Sequence, residues 1–256
     1  MIERYKNLNF KIPKESKTYK EDSEYVVQQI ISILSDVQKS GRNRIVITTN
    51  LKLGLHLENI NKIAGPMMEA WAGEVFSEIK DNKNNKFNLI DVKAQERLGM
   101  ADIILQFKKN DNILTGMIDV KSTSNDILNS GKGPNITSFA RIRTAYIEDP
   151  NFMFIILSGK HQVYSKDNVS TGLHEEIMQV IDYNVYDLKF ISDNDITYNP
   201  ALGTGQIQIK DIHNVTYQYR TTWEMCQLLD QKYLSSSRRT FDDFYREAVK
   251  NKWIKN

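Results

Sequence analysis

Residues 101–121 read ADIILQFKKNDNILTGMIDVK. Two largely apolar runs, ADIILQF and ILTGMIDVK, flank the polar tetrapeptide KNDN at 109–112. That pattern predicts a β-hairpin, with Asn110-Asp111 as its type I′ pair. A loop centred there places Asp102 directly opposite Asp119. Lys121 lies two residues further along and so points to the same face. A three-residue loop would slip the register by one and separate the acids.

Opposed side chains in such a pair have Cβ atoms about 4.5–5.5 Å apart, and like charges there are destabilising. Two facing carboxylates beside apolar strands therefore call for a neutralising cation. A divalent metal is one such cation, and it can polarise a phosphoryl group and stabilise a leaving alkoxide. A lysine alongside can stabilise developing charge or orient an attacking water. The tetrapeptide IDVK also occurs at 90–93, but its upstream acids, Glu78 and Asp81, fall at a helix end and in a polar loop. Acid-x-Lys triplets are common in charged chains; Glu15-Ser16-Lys17 is another. Alone, each reads as a solvated strand face. The opposed Asp102 is what sets the second IDVK apart.

The remaining composition narrows the chemistry. The chain has 256 residues, 40% hydrophobic and 26% charged, which is ordinary for a globular protein with a sizeable core. A net charge of +2 neither requires nor excludes nucleic acid. Cys226 is the single cysteine, so no intrachain disulfide or cysteine-based zinc site can form. The four histidines show no HxxxH spacing. A bound metal would rest mainly on carboxylates, which favours a hard ion such as Mg²⁺. No run approaches the roughly 20 apolar residues of a membrane span, and the N-terminal segment lacks an apolar core. These features lead us to expect a cytoplasmic location, no membrane association, and chance sequons at Asn135, Asn168 and Asn214.

Periodicity predicts helices over 23–38 (capped by Ser23), 65–80 (Pro66 in its first turn), 135–149 and 172–182. It predicts strands near 45–48, 87–92, 101–107, 113–121, 152–157, 161–164, 185–191 and 206–210. Two helices should close the chain, starting at the capping box Thr221-x-x-Glu224 and at Thr240. The expected fold class is α/β (α+β), a mixed central sheet flanked by helices.

The segments GMADII…GMIDVKST resemble the PD-(D/E)xK nuclease signature, with Asp102 as first acid and Asp119 and Lys121 as the D-x-K. Ala101 stands where that pattern often has proline. ENINKIAGPMMEAWAGEVFSEI, AQERLGMADIILQF, PNITSFARIRTAYIEDPNF, NPALGTGQIQIKDIH and RTTWEMCQLLDQKYL resemble HpaI-type type II restriction endonucleases, over essentially the whole chain. A weaker likeness to HincII-type enzymes covers GPMMEAW, ADII…IDVK, PNI and QIQ. The resemblance implies one restriction-endonuclease-like domain over 1–256. DNA-recognition and dimerisation elements would be inserted in the core and follow it. It further implies a homodimer that cuts both strands of double-stranded DNA in Mg²⁺, with no small-molecule cofactor. The target would be GTTAAC, cut centrally to leave blunt ends.

Other residues gain a role from this likeness. Glu69, one position off the buried stripe of its helix, would assist the metal site, with Glu96 a lesser candidate. Asn135, after Pro134, would lie near the scissile region, and Lys132 near a phosphate. In NPALGTGQIQIK (199–210), Gln206, Gln208 and Lys210 share a strand face. Amides suit adenine and lysine suits guanine or phosphate in a major groove. Asn199, Thr204, Gln206 and Gln208 are candidate base contacts, and Gly203 and Gly205 would let backbone approach a ligand. Arg220, Lys232, Arg238, Arg239, Arg246, Lys250 and Lys252 could supply phosphate contacts. Trp223 and Trp253 read as core. Two rival functions use the same residues: a structure-specific or repair nuclease, and a DNA-binding module that no longer cuts.

Overall fold

The computed structural model describes residues 2–51, 53–94 and 99–255. In chain order, helices α1 (Ile2–Lys6) and α2 (Tyr19–Lys39) precede strand β1 (Arg44–Thr48) and the long helix α3 (Leu57–Asp81). Strands β2 (Leu89–Ala94), β3 (Ile103–Lys109), β4 (Asn112–Ser124) and β5 (Asn135–Ser138) lead to helix α4 (Phe139–Glu148). Then come β6 (Met153–Asn168), β7 (Leu173–Asp187), β8 (Ile196–Asn199) and β9 (Gln206–Ile209), and finally helices α5 (Thr222–Leu234) and α6 (Phe241–Lys250).

Six strands form a mixed sheet in the order β1-β7-β6-β4-β3-β2, and β5-β9-β8 form a smaller one. The β3–β4 hairpin closes with Lys109 opposite Asn112 and runs to Ile103 opposite Ile118, the expected register. Asn110 takes a φ of 55° at its tip. Asparagine visits this left-handed region more readily than most residues, which is why the turn forms without glycine. β4 and β6 run parallel and are joined through β5 and α4, a crossover long enough for parallel strands to meet.

Alternation along the strands loads both faces. Ile118 and Val120 face one core with Val26, Ile30 and Leu34 of α2 and Met68, Ala72 and Phe76 of α3. Met117, Phe154, Ile156 and Tyr186 face a second core with Phe139, Ile142, Leu229, Phe244 and Trp253. Trp253 is fully buried and Trp223 packs against this second core, as expected. Two polar or tight contacts fix α3. His161 bridges Asn61 Oδ1 (3.0 Å) and Ser122 Oγ (2.9 Å). At Gly159 a Cβ would lie 2.7 Å from Met68 Sδ, so the helix sits close on β6.

An ion pair crosses the second core. Arg143 Nε and Nη2 donate to Asp230 Oδ1 and Oδ2 at 2.9 and 3.2 Å, and both residues are wholly buried. The Tyr5 hydroxyl donates to Asp230 Oδ2 at 2.7 Å. This knot ties α4, α5 and the N-terminal segment together.

Several local expectations are corrected. Residues 173–182, expected as helix, form strand. LHEEIMQVIDYNVYD pairs with β6 along fourteen positions, and this tertiary ladder overrides the helix-tolerant HEEIMQ. The runs at 152–157 and 161–164 are one strand, β6, with a register shift at Lys160/His161. Residues 135–138 pair with β9 before α4 begins. Helix α2 starts at Tyr19, so Ser23 is no cap; its hydroxyl donates to buried Asp187 at 2.8 Å. Helix α3 starts at Leu57, which puts Pro66 inside it. The bond lost there would have used the carbonyl of Lys62, on an exposed turn where water can serve instead. Both C-terminal capping boxes form, at Thr221/Glu224 and Thr240/Asp243.

Candidate active site

The parallel neighbour β6 and the hairpin partner β3 bury β4 on both edges. Asp119, which points toward the second-core face, is therefore only 4% exposed. Asp102 stands one residue beyond the paired part of β3. Its N–H donates to Ile118 O at 2.9 Å, and its Oδ2 accepts the N–H of Val120 at 2.7 Å. Asp102 thus brackets residue 119 at the hairpin mouth, bonded to the β4 backbone on either side of it. Lys121 Nζ lies 2.6 Å from Asp119 Oδ2 and 3.4 Å from Val120 O.

Burial pushes the Asp119 carboxyl up to about 7. The Lys121 ammonium pulls against this rise, and Asp102 and Glu69 add to it. Partial burial also raises Glu69, with Asp102 again adding and Lys121 opposing. The four side chains therefore share one electrostatic neighbourhood, although Glu69 arrives on α3 from the other side of the hairpin. Glu69 and Asp102 line an open cleft of about 1000 Å³ together with Pro66, Gly73, Ala101 and Ile103. Asp119 and Lys121 are not among its lining residues. Glu96 lies outside the described residues.

No group of three or more His, Cys, Asp or Glu side chains among the described residues converges as a ready metal cage. The pair nevertheless fits a hard cation. Asp119 Oδ2 is buried and pairs with the Lys121 ammonium 2.6 Å away, while Asp102 and Glu69 add negative charge beside it. One ammonium among three acids leaves negative charge that a hard cation would offset. Mg²⁺ keeps several waters and typically takes only one or two protein carboxylates plus substrate phosphate, so two acids suffice.

The small sheet carries the other candidates. Gln208 Nε2 donates to Gly133 O (2.9 Å) and Asn135 Oδ1 (3.0 Å), which ties two of them together. The Gln206 side chain, half-buried on the same strand face, makes no such bond among the described residues. Thr204 Oγ1 meets Ser138 Oγ at 3.0 Å and accepts from Ala140 N at 3.3 Å, at the start of α4. Asn199 Oδ1 accepts from Ala201 N, an Asx turn. Lys132 Nζ pairs with Asp211 Oδ2 at 2.6 Å, so its charge is already matched within the chain. Asp211, though partly buried, is held down to about 2 by Lys132, Asn214 and backbone donors.

Gly203 and Gly205 differ. Gly203, at φ +51°, has open space where a Cβ would point. Gly205, at φ +87°, would put a Cβ 2.2 Å from the Tyr198 ring. Its missing side chain makes room for that tyrosine rather than for a ligand. Arg239 braces the same turn, donating to Tyr198 Oη (2.9 Å), Pro200 O (2.8 Å) and Gly203 O (2.7 Å). Gly205→Ala adds both backbone strain and a clash with a ring held from two sides. We expect it to cost about 2–4 kcal/mol, seen as a lowered midpoint in urea unfolding, whereas Gly203→Ala costs about 1 kcal/mol.

Much of the C-terminal basic run is tied down as well. Arg220 donates to Ile191 O, Lys232 to Asp193 O, and Arg246 to Asp243. Arg238, Lys250 and Lys252 are exposed. Composition alone could not separate braces such as Arg239 from free cations, because the difference lies in which carbonyls the fold presents.

The family model described as type II restriction endonuclease HpaI matches residues 6–252. The type II restriction enzyme HpaI of Haemophilus parainfluenzae is 66% identical over 253 residues, spanning 99% of this chain and 100% of that protein.

Proposed function

Because the chain belongs to the HpaI family of type II restriction endonucleases, and is thus a site-specific deoxyribonuclease, we propose that it cuts both strands of duplex DNA at GTTAAC, centrally and bluntly, in Mg²⁺. The observation that carries the chemistry is the buried Asp119, 2.6 Å from Lys121 Nζ, with Asp102 bonded to the backbone on either side of it, at Ile118 and Val120. Asp102 and Asp119 would hold the metal. When bound, it would neutralise the two acids and stabilise charge on the scissile phosphate. Lys121 orients the attacking water and offsets negative charge as the phosphorus gains its fifth oxygen. Glu69, raised by burial and by Asp102, is placed to hold a proton or a water at the cleft wall. Val120 N–H fixes one oxygen of Asp102, leaving the other for ligand.

Base reading falls to β9 and its flanking turn. Gln206, whose amide bonds to no other side chain among the described residues, is the leading base contact. Asn199, Thr204, Gln208 and Asn135 surround it, with Gly203 as the open backbone position. Lys132 would reach a phosphate only by leaving Asp211. A two-fold palindrome suits a homodimer in which each protomer cuts one strand. A single restriction-endonuclease-like domain working in the cytoplasm completes the reading. No helix among the described residues is long and apolar enough to cross a membrane.

The experiment is to digest DNA of known sequence in Mg²⁺ and sequence the ends. Every end should read GTT or AAC at a flush break. A structure-specific or repair nuclease would give ends scattered over sequence, and a non-cleaving binder would give none.

A further inference from the structure

One cluster in the second-core face belongs to neither the acid pair nor the base-reading strand, yet touches the surroundings of both. Across the sheet, Lys121 pairs with Ser158 of β6, and Ser158 pairs with Asn184 of β7. Three polar residues thus form one row beside the candidate active site, at the usual strand spacing of about 4.8 Å. Ser158 is completely buried. Its hydroxyl lies 3.2 Å from His213 Nδ1, and His213 Nε2 lies 3.1 Å from Asp182 Oδ2. The carboxylate only accepts, so Nε2 carries the proton and, in the neutral ring, Nδ1 accepts from Ser158. Asn184 Nδ2 donates to His213 O at 2.9 Å. The His213 side chain is 9% exposed.

His213 sits three residues after Lys210, in a short segment that follows β9 directly. That segment is also clamped to the stretch leaving β4. Ile212 N donates to Gly131 O (2.9 Å), Gly133 N to Lys210 O (3.1 Å), and Lys132 pairs with Asp211. Tyr186 OH donates to Ile212 O at 2.7 Å. At Gly131 a Cβ would lie 2.8 Å from Thr123 Oγ1 and 3.2 Å from Ile212 Cγ2, so the clamp closes on β4 itself. A displacement of β9 therefore reaches the Lys121 row by two routes, through the 131–133 clamp and through the His213 ring.

We infer that His213 is a positioning residue, which couples the base-reading strand β9 to the Lys121–Ser158–Asn184 row and so lets cleavage respond to correct base contacts. This rests on the proposed function. The ring touches neither phosphate nor metal. It fixes where Ser158, and with it the β4–β6 pair that carries Lys121, stands when β9 is seated in the groove. Small displacements of a catalytic group cost rate steeply, whereas affinity resides in many separate phosphate contacts.

The test uses the full chain and the site that the wild-type protein cuts, compared with duplexes carrying one changed base. His213→Ala should slow single-turnover cleavage of the true site by roughly 10- to 100-fold. Its affinity for that duplex should stay within about threefold, and cleavage of the altered sites should slow less, so that discrimination narrows. His213→Asn keeps a polar group near the Nδ1 position and should restore most of the rate; His213→Gln reaches toward the Nε2 position and should not. Unchanged rate and discrimination in His213→Ala would overturn the inference. So would losses in all three variants that merely follow their melting temperatures, the mark of a purely structural histidine. If the wild-type protein cuts no defined site, the proposed function fails instead, and that outcome is read from the wild type alone.

Discussion

Asp119→Ala is expected to leave DNA bound and uncut. A metal at this pair would contribute several kcal/mol to the phosphoryl-transfer transition state, and about 1.4 kcal/mol corresponds to a tenfold rate. Loss of the more deeply buried carboxylate should therefore lower single-turnover cleavage by roughly a thousand-fold or more. Binding should not weaken, because the carboxylate repels phosphate and affinity comes from cations and base contacts elsewhere. The fold should tolerate the change. Burial raises the Asp119 carboxyl to about 7, which means that the folded chain gains little from its charge. Gel-shift affinity alongside quenched-flow cleavage separates the two effects. Full cleavage by this variant would remove Asp119 from the mechanism.

Asp230→Ala should have the largest effect on stability. It strips the wholly buried Arg143 of both its carboxylate bonds and Tyr5 of its acceptor. Removing one partner of a buried pair typically costs about 3–5 kcal/mol, because an unmatched charge remains inside. In a chain of this size each kcal/mol moves the melting temperature by about 2–4 °C, so a fall of about 10 °C is expected. The aromatic faces of Phe10, Trp223 and Trp253 lie within 6.0 Å of the guanidinium and recover part of the loss. Replacing both partners, as Arg143→Met with Asp230→Leu, should cost distinctly less than the single change. Scanning calorimetry of the two variants measures the difference.

The hairpin and its register were legible because one short segment carries its own geometry. Alternation, a two-residue turn and a left-handed asparagine leave few other pairings for Asp102 and Asp119. The Thr221 capping box and the helix start at Thr240 are similarly local, and both formed. The misread elements are those whose state is decided at a distance. HEEIMQ becomes strand because β6 offers it a long ladder, and Ser23 lies inside a helix because Asp187 waits below it. The site divides in the same way. Asp102, Asp119 and Lys121 follow from the hairpin, and Glu69 follows from a helix the periodicity marks. That Gly205 shelters a tyrosine, that Arg239 props a turn and that Lys132 answers Asp211 depend on contacts between residues 7 to 79 positions apart. His213 offered no signal at all, since its partners Ser158 and Asp182 are remote in the chain and unremarkable in type.

The most direct test of the acid pair is Mn²⁺ binding, followed by electron paramagnetic resonance on the full chain with an uncleavable duplex. The wild-type protein and Lys121→Ala should both take up the ion, while Asp102→Ala and Asp119→Ala should each bind it at least about tenfold more weakly. Undiminished Mn²⁺ binding by both aspartate variants would contradict the assignment of the metal to this hairpin.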